Sequence, residues 1–199
     1  MARLINGLTA LTLTAFALTA LPFVPARGHV VSEGAPAGTW RIDPARSVVQ
    51  FTVTKLGFAD VPGRFTDFTG SVRYDPARPE NSSVEWAVQV ASVATDAANR
   101  DRTLQAPEYF DAGRHPELTF RSMRVRSVGD GRLEVDGEIT IKGITRPQRI
   151  VATPVDGGFE TRFELDRFDF EIVGGTVMRR LIGRTVRIHL TAIAEQEDV

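Results

Sequence analysis

LEVDGEITI, residues 133–141, sets Leu133, Val135, Ile139 and Ile141 against Glu134, Asp136, Glu138 and Thr140. A period of two gives one apolar face and one wet face, the pattern of a half-buried β-strand. Working outward in both directions, the same rule recurs. Val49, Phe51 and Val53 oppose Gln50, Thr52 and Thr54, and Val84, Trp86, Val88 and Val90 oppose Glu85, Ala87, Gln89 and Ala91. Phe159, Phe163 and Leu165 alternate with Glu160, Arg162 and Glu164, and Val186, Ile188, Leu190 and Ala192 form the last run. Turn chemistry falls between the runs at Asp75-Pro76, at Arg78 to Asn81, at Gly129-Asp130-Gly131 and at Asp156-Gly157-Gly158. Strands joined by short turns are antiparallel, because a parallel pair needs a long crossover. Seven to nine such strands, kinked at Gly63, Gly70, Gly137 and Gly143, predict an all-β closed barrel, with a sandwich as the alternative. Only Thr95 to Arg114 breaks the pattern, and a short helix or ordered loop is expected there.

The chain of 199 residues fits one such domain plus an export segment. Arg3 followed by the apolar run Leu4 to Val24 reads as a secretory signal. The expected division is a signal peptide over 1–26, cut after Ala26 with Ala20 as a second candidate, a linker over 27–38, the barrel over 39–195 and a tail over 196–199. A retained anchor is the competing reading, opposed by Pro22 and Pro25 near the end of the apolar run. The expected location is periplasmic or secreted. A net charge of −1 offers nothing to nucleic acid, whose binding requires clustered Lys and Arg. The absence of cysteine excludes disulfides and thiol chemistry.

Catalytic and metal motifs are weak. His29, His115 and His189 have no metal-pair spacing, so no metal and no cofactor are expected. No Gly-x-Ser-x-Gly turn exists, and Ser82-Ser83 sits beside a turn. Asp166 and Asp169 flank Arg167, which reads as local ion pairing rather than an acid and base pair. Gly174-Gly175 lacks the residues of a phosphate loop and reads as a flexible turn. The aromatic load stands out: twelve Phe, including Phe58 and Phe168, spread over most β segments. These residues either fill the core or surround an apolar guest. Burying a methylene stabilises by about 0.8 kcal/mol, so a ten-carbon chain gains ~8 kcal/mol before ordering costs. The expected cavity lining is Phe51, Val53, Phe65, Phe68, Trp86, Val88, Phe110, Phe120, Ile139, Ile141, Phe163 and Phe170.

Several ordered blocks from Trp40 to about Glu195 resemble the YceI-like, lipocalin-like polyisoprenoid-binding family. They are Trp40-Arg41-Ile42-Asp43 with Ser47 and Phe51, Gly63-x-Phe65, and Phe68-x-Gly70. Next come Thr95, Arg100-Asp101, Leu104, Tyr109-Phe110-Asp111, Pro116 and Thr119-Phe120-x-Ser122. Gly137, Thr140 and Lys142 to Thr145 follow, then Arg167, Asp169-Phe170, Gly183 and Val186. The resemblance implies an eight-stranded antiparallel lipocalin-like barrel with a short helical insertion, holding an isoprenoid chain or similar amphiphile, and no enzyme activity. Family histidines stand here as Arg46, Lys55 and Thr103, a glycine stands as Glu171, and an acidic position stands as Arg184. If those histidines line the polar end of the pocket, Arg46 and Lys55 meet an anionic head group with a permanent charge. Arg100 is the third expected head-group contact, although Arg100-Asp101 also reads as an ion pair holding the insertion. Lys142 reads as turn chemistry.

The leading expectation is therefore a binding protein for an isoprenoid or other amphiphilic lipid, with no stable membrane span after signal cleavage; a homodimer is compatible. Two other classes compete. One is an enzyme, a hydrolase or isomerase, acting on a hydrophobic substrate in the same cavity. The other is a membrane-embedded barrel, which shares the strand period and is opposed by runs shorter than a span needs.

Overall fold

The computed structural model describes residues 37–196. The signal peptide assigned to 1–26, nearly all of the linker and the end of the tail lie outside the described residues. The sheet comprises β1 (Gly38–Ile42), β2 (Val48–Lys55), β3 (Ala59–Phe65), β4 (Phe68–Tyr74), β5 (Ser83–Gln89) and β6 (Val93–Ala94). After helix α1 (Ala98–Gln105) come β7 (Glu117–Ser127), β8 (Leu133–Ile141), β9 (Ile144–Val155) and β10 (Gly158–Asp166). Helix α2 (Thr176–Leu181) leads directly into β11 (Ile182–Gln196).

Pairing runs β1-β4-β5-β7-β8-β9-β10-β11 and returns to β1, which closes an eight-stranded antiparallel barrel. The three remaining segments are the other halves of broken staves. Strand β11 pairs with β2 from Ile182 to Thr191 and with β1 from Ala194 onward, so β1 and β2 form one stave bent at Pro44. Likewise β3 and β4 bend at Thr66-Asp67, and β5 and β6 bend at a 3-10 turn beginning at Val90. Val90, expected on a strand, opens that turn and is fully buried. A bend leaves ladder groups unpaired, and Ser47 repairs one. Its buried Oγ donates to the Ile193 carbonyl at 3.1 Å and accepts from the Ile193 N–H at 2.9 Å.

The expected insertion between Thr95 and Arg114 contains α1, and its first bond pattern is local. Asp101 Oδ1 accepts from the Thr95 N–H at 2.9 Å, and Arg100 Nε donates to Thr95 Oγ1 at 2.7 Å. Arg100-Asp101 is therefore a pair of clamps on Thr95. Asp166 pairs with Arg184 at 2.6 Å instead of with Arg167.

Inside the barrel, Val125, Leu133 and Val135 pack with Tyr74, Ile150, Ala152 and Phe159 to fill one end. Ile42, Phe68, Trp86, Val88, Val93 and Ala192 fill the waist, where Phe68 and Trp86 ring centroids are 5.6 Å apart. Gly137 makes room for Phe120, since a Cβ there would lie 2.5 Å from its ring.

The strand-length argument against a membrane-embedded barrel fails, because β7, β9 and β11 run to 11, 12 and 15 residues. Charge placement supplies a better one. The outer face carries Arg149 on Asp136 at 2.6 Å, Arg121 on Glu85 at 3.2 Å and Arg187 on Asp60 at 2.6 Å. In hydrocarbon each such Arg would cost about 2–4 kcal/mol near the midplane. Among the described residues no helix is long and apolar enough to cross a membrane.

Glu171 occupies the left-handed region at φ 55° as it terminates the 3-10 turn Arg167–Phe170. Its side chain is exposed and its carbonyl accepts from Lys142 Nζ at 3.2 Å, a bond that glycine would keep. Left-handed strain in a non-glycine residue costs about 1 kcal/mol. Glu171→Gly is expected to raise the thermal midpoint by about 2–4 °C; a lower midpoint would contradict this account.

Candidate functional site

Above the filled waist the barrel interior is not closed by its own side chains. A cavity of about 420 Å3 occupies this end, within the range of small-molecule pockets. Its wall is built by the inward phase of the strand ends: Phe51 and Val53 of β2, Val61 and Phe65 of β3, Ile141 of β8, Leu165 of β10, and Val186 and Ile188 of β11. Leu104 of α1 and Tyr109-Phe110 after it form one side of the roof, and Phe170, Ile172, Val173 and Met178 form the other. Lys55, Asn99, Arg100, Thr103 and Met178 line the cavity and are also exposed, so it meets solvent between α1 and the α2 side.

Ring positions are set from behind. Phe51 lies over Gly63, where a Cβ would come within 2.2 Å of the ring. Phe65 contacts Phe51 at 5.6 Å between centroids and Phe110 edge-on at 5.9 Å, so three aromatics from β2, β3 and the insertion make one wall.

Of the expected lining residues, the structure gathers Phe51, Val53, Phe65, Phe110, Ile141 and Phe170 around the cavity, with Lys55 and Arg100 at its mouth. It places the others elsewhere. Phe68, Trp86 and Val88 belong to the packed waist. Phe120 packs toward the filled end, and Ile139 packs outside the lining in the cluster around Ile141 and Phe170. Phe163 is half-buried on β10 and does not border the cavity. Arg46 is not at the mouth: it sits in the β1–β2 bend, 3.9 Å from Asp43 and 3.5 Å from Glu195. Phe58 is not interior either, being 80% exposed. His189 faces outward beside Glu160 at 3.7 Å, His29 lies outside the described residues, and the described residues contain no cluster suited to a metal.

Sequence reasoning missed the role of Arg167. It is only 5% exposed and borders the cavity, yet among the described residues no carboxylate lies within ion-pair distance of it. Nε donates to the Gly183 carbonyl at 2.8 Å, Nη2 to the Ile182 carbonyl at 2.8 Å, and Nη1 to the Ile172 carbonyl. Burial pushes this guanidinium below its ordinary pKa, though arginine stays charged in practice. Among the described residues the cavity therefore has Lys55, Arg100 and Arg167 on its lining and no Asp or Glu. A left-over positive potential in a low-dielectric wall attracts an anionic group.

Comparison with known proteins meets this geometry directly, because the YceI-like domain model matches residues 40–194. The chain belongs to the YceI-like family. A UPF0312 protein of Vibrio parahaemolyticus is 32% identical over 157 residues, which cover 72% of this chain and 83% of that one. One from Ectopseudomonas mendocina is 34% identical over 134 residues, covering 62% and 70%. Among solved structures, BcnA of Burkholderia cenocepacia superimposes with a TM-score of 0.72 at 24% identity, covering 78% of this chain and 99% of that one. A domain from Saccharophagus degradans described as polyisoprenoid binding aligns with a TM-score of 0.63 at 13% identity, covering 81% and 99%. The YceI-like match spans every stave of the barrel, so the family assignment and the closed architecture agree.

Proposed function

We propose that this protein binds an amphiphilic lipid, holding an isoprenoid or similar hydrocarbon chain in the barrel cavity and an anionic head group at its mouth. One observation carries the reading: an apolar cavity of about 420 Å3 whose only charged lining residues, among the described residues, are Lys55, Arg100 and Arg167. Enclosing the chain supplies binding free energy without any reacting group. Among the described residues the lining offers no histidine, serine or carboxylate that would favour a hydrolase or isomerase. The family relationship, and the polyisoprenoid description of one similar barrel, support a prenyl chain as the guest. The apolar run over Leu4 to Val24 supports action in the periplasm or outside the cell.

The test compares geranylgeranyl phosphate with geranylgeraniol by direct titration. The unchanged chain is expected to prefer the phosphate. Lys55→Ala and Arg100→Ala should each erode that preference by ~5-fold, the worth of about 1 kcal/mol for a partly exposed charge contact. Arg46→Ala should leave it unchanged, because that side chain is engaged with Asp43 and Glu195. A phosphate-to-alcohol ratio that is the same in all four proteins sinks the anionic head group.

A further inference from the structure

The rim of the cavity carries apolar residues that folding does not use. Among the described residues seven large apolar side chains are exposed, and four of them, Leu56, Phe58, Val177 and Met178, lie at this one rim. Isolated exposed apolar residues need no explanation, but a cluster at a cavity mouth does. Phe58 is 80% exposed, Val177 64% and Leu56 51%. The two elements that bear them are tied together, since the Leu56 N–H donates to the Leu181 carbonyl at 2.7 Å.

Leu56 is also held in an unfavourable conformation. Leu56 and Gly57 have φ of 55° and 79°, the two left-handed positions at the tip of the β2–β3 hairpin. Asn, Asp or Gly suit the first of these, and a bulky aliphatic does not. The β8–β9 hairpin shows the contrast: Lys142 takes the same strained place at φ 53° but uses its side chain to reach the Glu171 carbonyl. Leu56 bears the strain and projects half its surface into solvent.

Charge completes the pattern. Lys55 adjoins the tip, and exposed Arg179 and Arg180 follow Val177-Met178 on α2. Residues 53–59 and 172–182 contain no Asp or Glu. The nearest acid along the hairpin, Asp60, is bound by Arg187 at 2.6 Å. Exposed Asp169 and Glu171 precede the second segment, and exposed Glu108 adjoins it through its carbonyl, which accepts from the Gly174 N–H at 3.1 Å; among the described residues none of the three forms an ion pair with Lys55, Arg179 or Arg180. Apolar side chains beside unneutralised cations are the composition of a surface that settles into an anionic bilayer interface.

We propose that this rim, Leu56 and Phe58 together with Val177 and Met178, docks onto the surface of an anionic lipid bilayer and turns the cavity mouth toward it. The proposal rests on the lipid-enclosing reading above and gives it a route, since a guest then passes between bilayer and cavity without its chain crossing water. Phe58 and Leu56 enter the headgroup boundary, and Lys55, Arg179 and Arg180 face lipid phosphates.

Because the chain has no cysteine, single labels can be introduced without background. Val177→Cys, and Val128→Cys at the opposite, filled end, are each labelled with an environment-sensitive fluorophore in the full chain. Each is then titrated with vesicles of neutral phosphatidylcholine or of phosphatidylcholine with phosphatidylglycerol. The label at 177 should brighten and shift to the blue with the anionic vesicles, at least ~10-fold more strongly than with neutral ones, and the label at 128 should not. Adding Leu56→Asn and Phe58→Ser to the 177-labelled protein should weaken the response by ~10-fold or more. A silent label at 177, an equal response at 128, or indifference to the double substitution overturns the docking. Titration with geranylgeranyl phosphate in solution separates the two ideas. Binding it while ignoring vesicles refutes the docking alone, and docking on vesicles while enclosing no prenyl chain refutes the guest alone.

Discussion

Replacing Arg167 with leucine is expected to cost about 4 kcal/mol, a large share of the 5–15 kcal/mol typical of a folded domain. The cost is not that of a lost ion pair, since Asp166 is bound to Arg184. It comes from the Gly183, Ile182 and Ile172 carbonyls, which lose their donor beneath a side chain that is itself only 5% exposed. An orphaned buried acceptor costs about 1–3 kcal/mol. Those three carbonyls lie on either side of α2, so one guanidinium holds the start of β11 to the end of the 3-10 turn. Phe168 reinforces the joint, with the guanidinium carbons of Arg167, Arg184 and Arg179 at 4.6, 4.8 and 5.3 Å from its ring centre. Thermal unfolding of Arg167→Leu should show a midpoint lower by about 10 °C, and Arg167→Lys should recover only part of it, because an ammonium cannot reproduce the planar three-way fork. A midpoint within a few degrees of the unchanged protein would show that water reaches those carbonyls. The same substitution removes one of three cations from the cavity wall, so the phosphate preference is expected to fall in whatever protein remains folded.

The alternating phase of each strand was legible because it depends only on neighbours in sequence. Phe51, Val53, Phe65 and Ile141 were expected inward and are inward, and so are Phe68, Trp86 and Val88. Which of them meets a cavity and which meets a packed waist depends on depth along the barrel axis. That depth is fixed by bends and stagger between staves, such as the break at Pro44 that hands β11 from β2 to β1. Alternation contains no such information. Arg46 was misplaced for a related reason: the residues between β1 and β2 form an outward bend, so a position close to Lys55 in sequence lies away from the mouth. Phe58 belongs to the aromatic load, but its place after Leu56-Gly57 in the β2–β3 hairpin tip sets it apart from the strand phase. Arg167 was hidden by its neighbours, since flanking acids suggest a surface pair and a fork onto three distant carbonyls leaves no trace in sequence. The closed barrel and the insertion were readable because turn chemistry and broken periodicity are local.

Filling the cavity is expected to separate binding from folding. Val186 lies between Val53 on β2 and Leu165 on β10 in register, and all three border the empty end of the barrel. Val186→Trp places an indole where a guest chain would run. Affinity for geranylgeranyl phosphate should fall by ~100-fold or more, equivalent to about 3 kcal/mol of displaced contact. Stability should hold to within about 1 kcal/mol or rise, because the added ring finds space rather than neighbours. The same change at Val88 gives the opposite result. That side chain is 7% exposed within the packed cluster of Phe68 and Trp86, where excess volume strains the surroundings by about 1–3 kcal/mol. Urea unfolding and lipid titration of the two proteins therefore form a crossed pair, with binding lost and folding kept at 186, and folding impaired at 88. If Val186→Trp unfolded as readily as Val88→Trp, the space above the waist would already be occupied by the protein's own side chains in solution. No room would then remain for a guest, whatever charge surrounds the mouth.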